Sequence, residues 1–414
     1  MSEFEFAALV GLDWGDTSHE VAVWDEQRKV CTSERIEHTP AALRAWVEAL
    51  RARFGGAPVA VAIEQSRGAV FDALSGYPFV TLYPINPRSA ARYREAFHPS
   101  HSKDDRTDAA SLLDLVRKHR DELRPFVPDD VTTRLLQLLT DDRRELVDQR
   151  TRHVQRLTDR LKTYYPQALR WAGALTTMQA CDFLERWPTL GAIQKARSSA
   201  IREFYRRHSH PAAWIEQRLA EIRAEVALHE DAILTAAAVL LIRSEVAQIR
   251  ALNASIATYD EQIASAFAAH PDRPIFASFP GAGAQLAPRL AAAFGTDRNR
   301  FESAVSIATR SGIAPVLRRS GKTAVVQMRW ACPHFLRQTF HEFARVSIGQ
   351  SAWARAFYKQ QRARGHGHHE AIRTLAYRWI RILYACWKSR TAYDEARYLQ
   401  QLARRGSPLT SAAA

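Results

Sequence analysis

Asp13 closes the apolar run FAALVGLDW and is followed by Trp14-Gly15; Glu64 closes a second apolar run within VAVAIEQS. A carboxylate at the end of a buried strand is well placed to hold a metal ion or a phosphate, because ligands of open α/β sheets bind outside the carboxyl ends of the strands. The cluster SKDDRTDAA supplies Asp105 and Asp108, three residues apart, at the entrance to the helical stretch LLDLVRKH. An i, i+3 pair shares one helical face. Brought together, Asp13, Glu64, Asp105 and Asp108 would bind two Mg²⁺ ions (Mn²⁺ would serve). Such ions activate an attacking oxygen and stabilise the leaving one in phosphodiester cleavage. Asp104 competes for either helical place. Singly, each acid reads as a strand-end polar residue or an acidic helix start stabilised by the macrodipole. Together, the four favour a metal site.

A second set lies late in the chain. Pro280-Gly281-Ala282-Gly283 joins two helical stretches, as in helix-hairpin-helix turns, where the backbone amides around Gly281 and Gly283 would hold a DNA phosphate. A plain interhelical turn fits as well. Ser320 follows Arg318 and Arg319 and precedes Gly321 and Lys322. Three cations around one exposed hydroxyl would bind a phosphate, and they would stabilise oxyanion charge if the serine were a nucleophile. The tract Gly365-His366-Gly367-His368-His369 offers metal ligands without a fixed-spacing partner and reads better as a basic loop. Trp353, Phe357, Tyr358, Trp379, Trp387 and Tyr393 interleave with Arg355, Lys359, Arg378, Lys388 and Arg390. Helical spacing makes most of these aromatics core, with some available to stack unpaired bases.

The elements that must position these residues follow from hydrophobic periodicity. Up to about residue 120 the pattern gives strands FAALVGLDW, EVAVWDE and KVCTSERIEH, then a helix near Pro40–Phe54 and the strand VAVAIEQS. A short helix, Gly68–Leu74, the strand FVTLYPIN and a helix from Pro87 follow. The order β-β-β-α-β-α-β-α predicts a ribonuclease H-like α/β sheet, three antiparallel strands leading into parallel crossovers. From Val131, apolar residues at helical spacing (Leu139, Leu146, Val154, Leu157, Leu161, then Ile242 through Phe267) predict two long amphipathic helices with a coiled-coil-like seam. They pair within the chain or between chains. A shorter helical insertion is expected near 171–211, a break at His270-Pro271, a mainly α-helical final domain, and a disordered tail. The expected boundaries are 1–125, 126–270, 271–405 and 406–414.

The 414 residues carry a net charge of +14, and residues 301–414 alone hold 19 Lys and Arg against five Asp and Glu. The first 300 residues therefore balance to zero, and the basic C-terminal quarter points to nucleic acid. An acidic protein partner is the bland alternative. The 46% hydrophobic and 25% charged composition excludes wholesale disorder. Four scattered cysteines without a CxxC pair suit a reducing cytoplasm. The acidic N-terminus predicts no secretory signal, and no apolar run reads as the ~20 residues of a membrane span.

In this order the residues resemble the DEDD-type insertion-sequence transposases, the bridge-RNA-guided recombinases with which the pilin-gene invertases are grouped. The resemblance covers nearly the whole chain. It rests on GLDWGDTSHEVAV, AIEQS, SKDDRTDA, the PGAG hairpin, GTDRNRFESAVSIATRSGIAPVLRRSGK and HEAIRTLAYRWIRILYACWKSRTAYDEARY. It implies an N-terminal RuvC-like domain bearing Asp13, Glu64, Asp105 and Asp108, and a C-terminal transposase domain with Ser320 as nucleophile. A coiled coil between them would assemble dimers into a tetramer. The implied site is composite, the acids of one subunit meeting the serine of another, with a covalent serine–DNA link. A structured guide RNA would pair with donor and target DNA, and the protein would be cytoplasmic in a bacterium and nucleoid-associated when active. Family members often continue Ser-Gly-Gly into a glycine-rich basic run; here Ser320-Gly321-Lys322 leads into TAVVQMRWACPHFLR. Two rival readings stand beside this one: a hydrolytic junction resolvase or nuclease using only the four acids, and a non-enzymatic nucleic-acid-binding protein.

Overall fold

The computed structural model describes residues 6–97, 105–321, 323–407 and 409, with Arg318 and Ser320 described by backbone alone. The chain forms two compact units, Met1–Pro128 and Asp129–Ala414. The first contains β1 (Ala8–Asp13), β2 (Ser18–Asp25), β3 (Val30–Glu37), α1 (Pro40–Arg53), β4 (Val59–Ile63), α2 (Ala69–Ser75), β5 (Val80–Pro84), α3 (Pro87–Phe97) and α4 (Asp105–His119). Sheet order is β3-β2-β1-β4-β5. The first three strands are antiparallel, and β4 and β5 run parallel to β1. This is the expected ribonuclease H-like arrangement.

Strand alternation assigns the two faces of the sheet. Ala8, Val10 and Leu12 of β1 join Val59, Val61 and Ile63 of β4 in a core with Trp46, Val47 and Leu50 of α1 and Phe71 of α2. Leu9, Ala60 and Ala62 face the other way, onto Ala109, Leu112, Leu113 and Val116 of α4. Gly11 explains how close α4 comes: a Cβ there would stand 2.1 Å from the Ala109 carbonyl oxygen and 2.3 Å from the Leu113 nitrogen. A side chain on this strand residue and a helix backbone in that position exclude one another.

The second unit is built on α5 (Val131–Tyr164) and α11 (Ala232–Ala268), which pack side by side within the chain. Arg143 binds Asp260 at 2.5 Å, Arg150 binds Asn253 at 2.8 Å and His153 binds Glu245 at 2.7 Å, a series that requires the two helices to run antiparallel. Between them lie α6 (Ala168–Trp171), α7 (Met178–Arg186), α8 (Leu190–Lys195), α9 (Ser198–Arg207) and α10 (Ala212–Ala224). The insertion is thus larger than the expected 171–211. It has its own core around Trp171, Phe183, Trp187 and Tyr205, closed by Leu157 and Leu161 of α5 and Ile242 and Val246 of α11.

The basic quarter follows α12 (Arg273–Ala277) and α13 (Gly283–Phe294). It comprises α14 (Ala304–Arg310), the hairpin β6 (Val316–Ser320) and β7 (Thr323–Gln327), α15 (His334–Gln350), α16 (Ala352–Ala363), α17 (His368–Ser389) and α18 (Glu395–Arg404). Its core holds Trp353, Trp379 and Trp387, all fully buried, so these three are not base-stacking surfaces. The expectation that no apolar run reaches membrane-span length is corrected by α11, whose most apolar 18 residues have mean hydropathy 1.6. That helix also buries Glu245, which pairs with His153 and Arg156 of α5. Most of the expected tail, together with Asp104 and Lys322, lies outside the described residues.

Candidate active site

Asp13 is the last residue of β1, and Glu64 immediately follows β4. Leu12 pairs with Ile63 across the parallel ladder, so the two acids occupy equivalent places one step beyond it. Alternation puts both on the face that carries α4, since Leu9 and Ala62 already point there. Asp105 and Asp108 come from the first turn of α4. All four line one cavity of about 350 Å³, with Glu20 and Arg94.

Glu20 sits on β2 directly across from Asp13 and was not foreseen. The signal that marks it is cross-strand: residue 20 shares the parity of Ala22, which faces α4. Its carboxylate lies 3.6 Å from Arg35 and 3.8 Å from Arg106. Asp108 is buried, and its carboxylate is paired with Arg94 of α3. That hydrogen bond raises the Arg94 guanidinium above its ordinary value against the opposing effect of burial, and Glu64 and Glu95 add to it. Tyr93 fixes the same helix by donating to Asp114 of α4 at 2.8 Å. Burial, and then Asp114, push the Tyr93 hydroxyl up to about 12.

The loop after Asp13 is held by a histidine pair. The Gly15 amide donates to Nδ1 of buried His19 at 3.3 Å, and Nε2 of His19 lies 3.0 Å from Nδ1 of His38. Accepting at Nδ1 leaves the proton on Nε2 to donate to His38. Burial, then the neighbouring His38, hold His19 below its ordinary value.

The donor set is carboxylate oxygen throughout, which suits a hard divalent cation. Among the described residues no three His, Cys, Asp or Glu side chains stand close enough together to hold an ion as they are. Arg94 supplies positive charge against Asp108 instead. The cavity fits a divalent ion by its chemistry, with Arg94 as the resident counter-charge.

The serine segment belongs to the second unit. Ser320 ends β6, opposite Thr323 of β7, and Gly321 follows it at φ +55°. The expected exposed loop is therefore the tip of a two-stranded ribbon. Arg319, Leu317 and every residue of β7 are exposed. Gly281, at φ +80°, packs against α15, where a Cβ would meet Val346 at 2.9 Å; around Gly283 the space is open. This packing alone accounts for glycine at 281. In the histidine tract, His366 pairs with Glu370 at 2.9 Å and His368 with the Tyr358 hydroxyl at 2.8 Å.

The segment GTDRNR has a structural role not read from the sequence. Arg298 grips Asp272 through two nitrogens at 2.5 and 2.7 Å, and Arg300 binds Asp129 at 2.5 Å. Thr296 and Thr133 both donate to Asp130. Burial raises the Asp130 carboxyl, but these hydrogen bonds outweigh it and hold the group at about 2.

A five-stranded mixed sheet with acids gathered at the ends of its first and fourth strands defines a ribonuclease H-like, DEDD-type domain. A family model described as "Transposase" matches residues 10–166, and one described as "Transposase IS116/IS110/IS902 family" matches residues 273–359. The "Mini-circle putative transposase for IS117" of Streptomyces coelicolor is 30% identical over 411 residues, covering 96% of this chain and 98% of that one. The "Insertion element IS110 uncharacterized 43.6 kDa protein" of the same organism is 27% identical, covering 94% and 96% of the two chains. The "Insertion element IS900 uncharacterized 42 kDa protein" of Mycobacterium paratuberculosis is also 27% identical, covering 93% and 97%. The chain belongs to the IS110 family of transposases, enzymes that cut and join DNA.

Proposed function

We propose that this transposase is an RNA-guided recombinase that moves an insertion sequence by Mg²⁺-dependent strand cleavage and rejoining, with Mn²⁺ able to serve. The observation that carries the reading is the meeting of Asp13, Glu64, Asp105 and Asp108 around one cavity at the carboxyl ends of β1 and β4. These four would hold the metal, whose chemistry when bound is to polarise a phosphate and stabilise a leaving oxygen.

Ser320 is the nucleophile in this reading. A bond forms between its oxygen and a DNA phosphorus, the P–O3′ bond breaks, and the 3′-hydroxyl leaves with a proton. The product is a 5′-phosphoserine link. Attack by another strand's 3′-hydroxyl reverses the step and rejoins the DNA. Arg318, Arg319 and Lys322 bind phosphate beside Gly321, and the turn amides near Gly281 and Gly283 give further phosphate contacts. A guide RNA supplies sequence choice, the long helices serve assembly from dimer to tetramer, and the domain limits are those expected above.

The test is a denaturing gel of end-labelled element-junction DNA incubated with protein, candidate RNA and Mg²⁺. A protein-linked band is expected, absent in Ser320→Ala and in Asp13→Ala. A second reading, hydrolysis by the acids alone, is favoured by one fact: the acidic cavity is lined entirely by residues of the first unit. Cut strands with no linked band, undiminished in Ser320→Ala, would establish it and overturn the recombinase.

A further inference from the structure

A second large cavity lies far along the chain from the acids and, Phe357 apart, beyond the segment matched at 273–359. It is a groove of about 730 Å³ between α17, α18 and the loop joining them. Its size is that of pockets that take a small organic group, roughly 300–1,000 Å³. Arg378, Arg381, Arg397 and Arg405 line it, together with Tyr377 and Tyr398. Asp394 is the one acid in the lining, and it is engaged in capping α18 by accepting from the Arg397 amide at 3.1 Å.

The arginines divide into two kinds. Arg378 is part of the wall: its Nε donates to the Tyr398 hydroxyl at 3.1 Å, and its guanidinium lies 5.1 Å from the centre of the Phe357 ring. Arg381, Arg397 and Arg405 are exposed, and none has an ion-pair partner among the described residues. The groove thus offers three unneutralised guanidinium groups above an apolar floor with tyrosine rings in its sides.

That combination selects a ligand that is both anionic and planar. Arginine forks suit phosphate, and aromatic sides beside them suit a base. A duplex presents phosphates on a convex surface and keeps its bases stacked inside, so it cannot fill a concave site of this size. An acidic peptide would answer the charge but leave the tyrosine rings without a planar partner. We infer that the α17–α18 groove binds unpaired nucleotides of a single-stranded nucleic acid, with phosphates on Arg381, Arg397 and Arg405 and a base against Tyr377 or Tyr398. The inference needs only that the chain handles nucleic acid. It does not depend on Ser320, on the metal or on a guide RNA.

The test uses the full chain and fluorescence anisotropy with a labelled deoxythymidine oligomer of about eight nucleotides, its uridine counterpart, and a mixed-sequence duplex. The double variant Arg381→Ala, Arg405→Ala should bind the single strands roughly tenfold more weakly and lower the salt slope of binding by about 1.4, as expected for two lost phosphate contacts. Tyr377→Leu should weaken single-strand binding while leaving that slope unchanged. Duplex binding should change little in either variant, and a retained thermal transition shows that each is folded. A photoreactive thio-base oligomer should crosslink within the peptide spanning residues 374–401. Stronger binding of the uridine than the deoxythymidine oligomer would identify RNA as the source, and the reverse would identify DNA; either supports the site. Unchanged single-strand affinity in both variants overturns it. So does an equal loss on duplex, or a change confined to self-association.

Discussion

Five carboxylates on one cavity wall repel one another, and one answer within the wall is Arg94, bound to Asp108 and close enough to Glu64 to feel its charge. A divalent cation entering the same cavity competes with that guanidinium for the same oxygens. Replacing Arg94 by Gln removes the competitor and keeps a hydrogen-bonding side chain of similar reach. Mn²⁺ binding, followed by paramagnetic resonance or calorimetry without DNA, should therefore tighten several-fold in Arg94→Gln and weaken in Asp13→Ala. Weaker binding in Arg94→Gln would mean that the arginine organises the acids instead of neutralising them. The convergence of Asp13, Glu64, Asp105 and Asp108 on one cavity was legible because strand ends and an i, i+3 step are local patterns. Glu20 and Arg94 were not. Glu20 reaches the cavity only through its cross-strand place opposite Asp13, and Arg94 belongs to a polar helix with one buried residue, Ala90, and so little periodicity to read.

Elements were legible wherever one face is buried along a whole segment. The order of the first unit and the two long helices came from alternation and from apolar residues at helical spacing. The hairpin β6–β7 did not: all of β7 is exposed, so no alternation marks it. Aromatic–arginine interleaving in α16 and α17 is ambiguous on its own, because a wide apolar helix face and a nucleic-acid face carry the same residue types; helical spacing pointed to core for most of these aromatics, and Trp353, Trp379 and Trp387 are core. The most informative element contact is that between β1 and α4. Gly11 is the condition for α4 to lie on the strand, and α4 carries two of the acids. Gly11→Ala adds a methyl where backbone atoms stand, so the helix must move or the strand must bend. A loss of about 3 kcal/mol is expected in chemical denaturation. Metal binding should fall with it, even at temperatures where the variant is folded. A variant with wild-type stability would show that the helix shifts without cost.

At the scale of the whole molecule, the acids belong to one unit and Ser320 to the other, while the net positive charge lies entirely in the last quarter of the chain. If the proposed site is shared between subunits, defects in the two units should complement each other. In a two-fold dimer of this kind, the acids of each subunit serve the serine of its partner. A mixed dimer of Asp13→Ala and Ser320→Ala then has one site with both defects and one with neither. Random mixing of the two inactive proteins, by co-expression or joint refolding, should restore about a quarter of the wild-type serine–DNA link, because half the dimers are mixed and each has one intact site. If each subunit serves itself, every site in a mixed dimer carries one defect and no link forms. The wild-type protein run in parallel separates this question from the chemistry itself. A linked band in wild type without recovery in the mixture places acids and serine of one chain in one site. No band even in wild type removes the serine mechanism altogether.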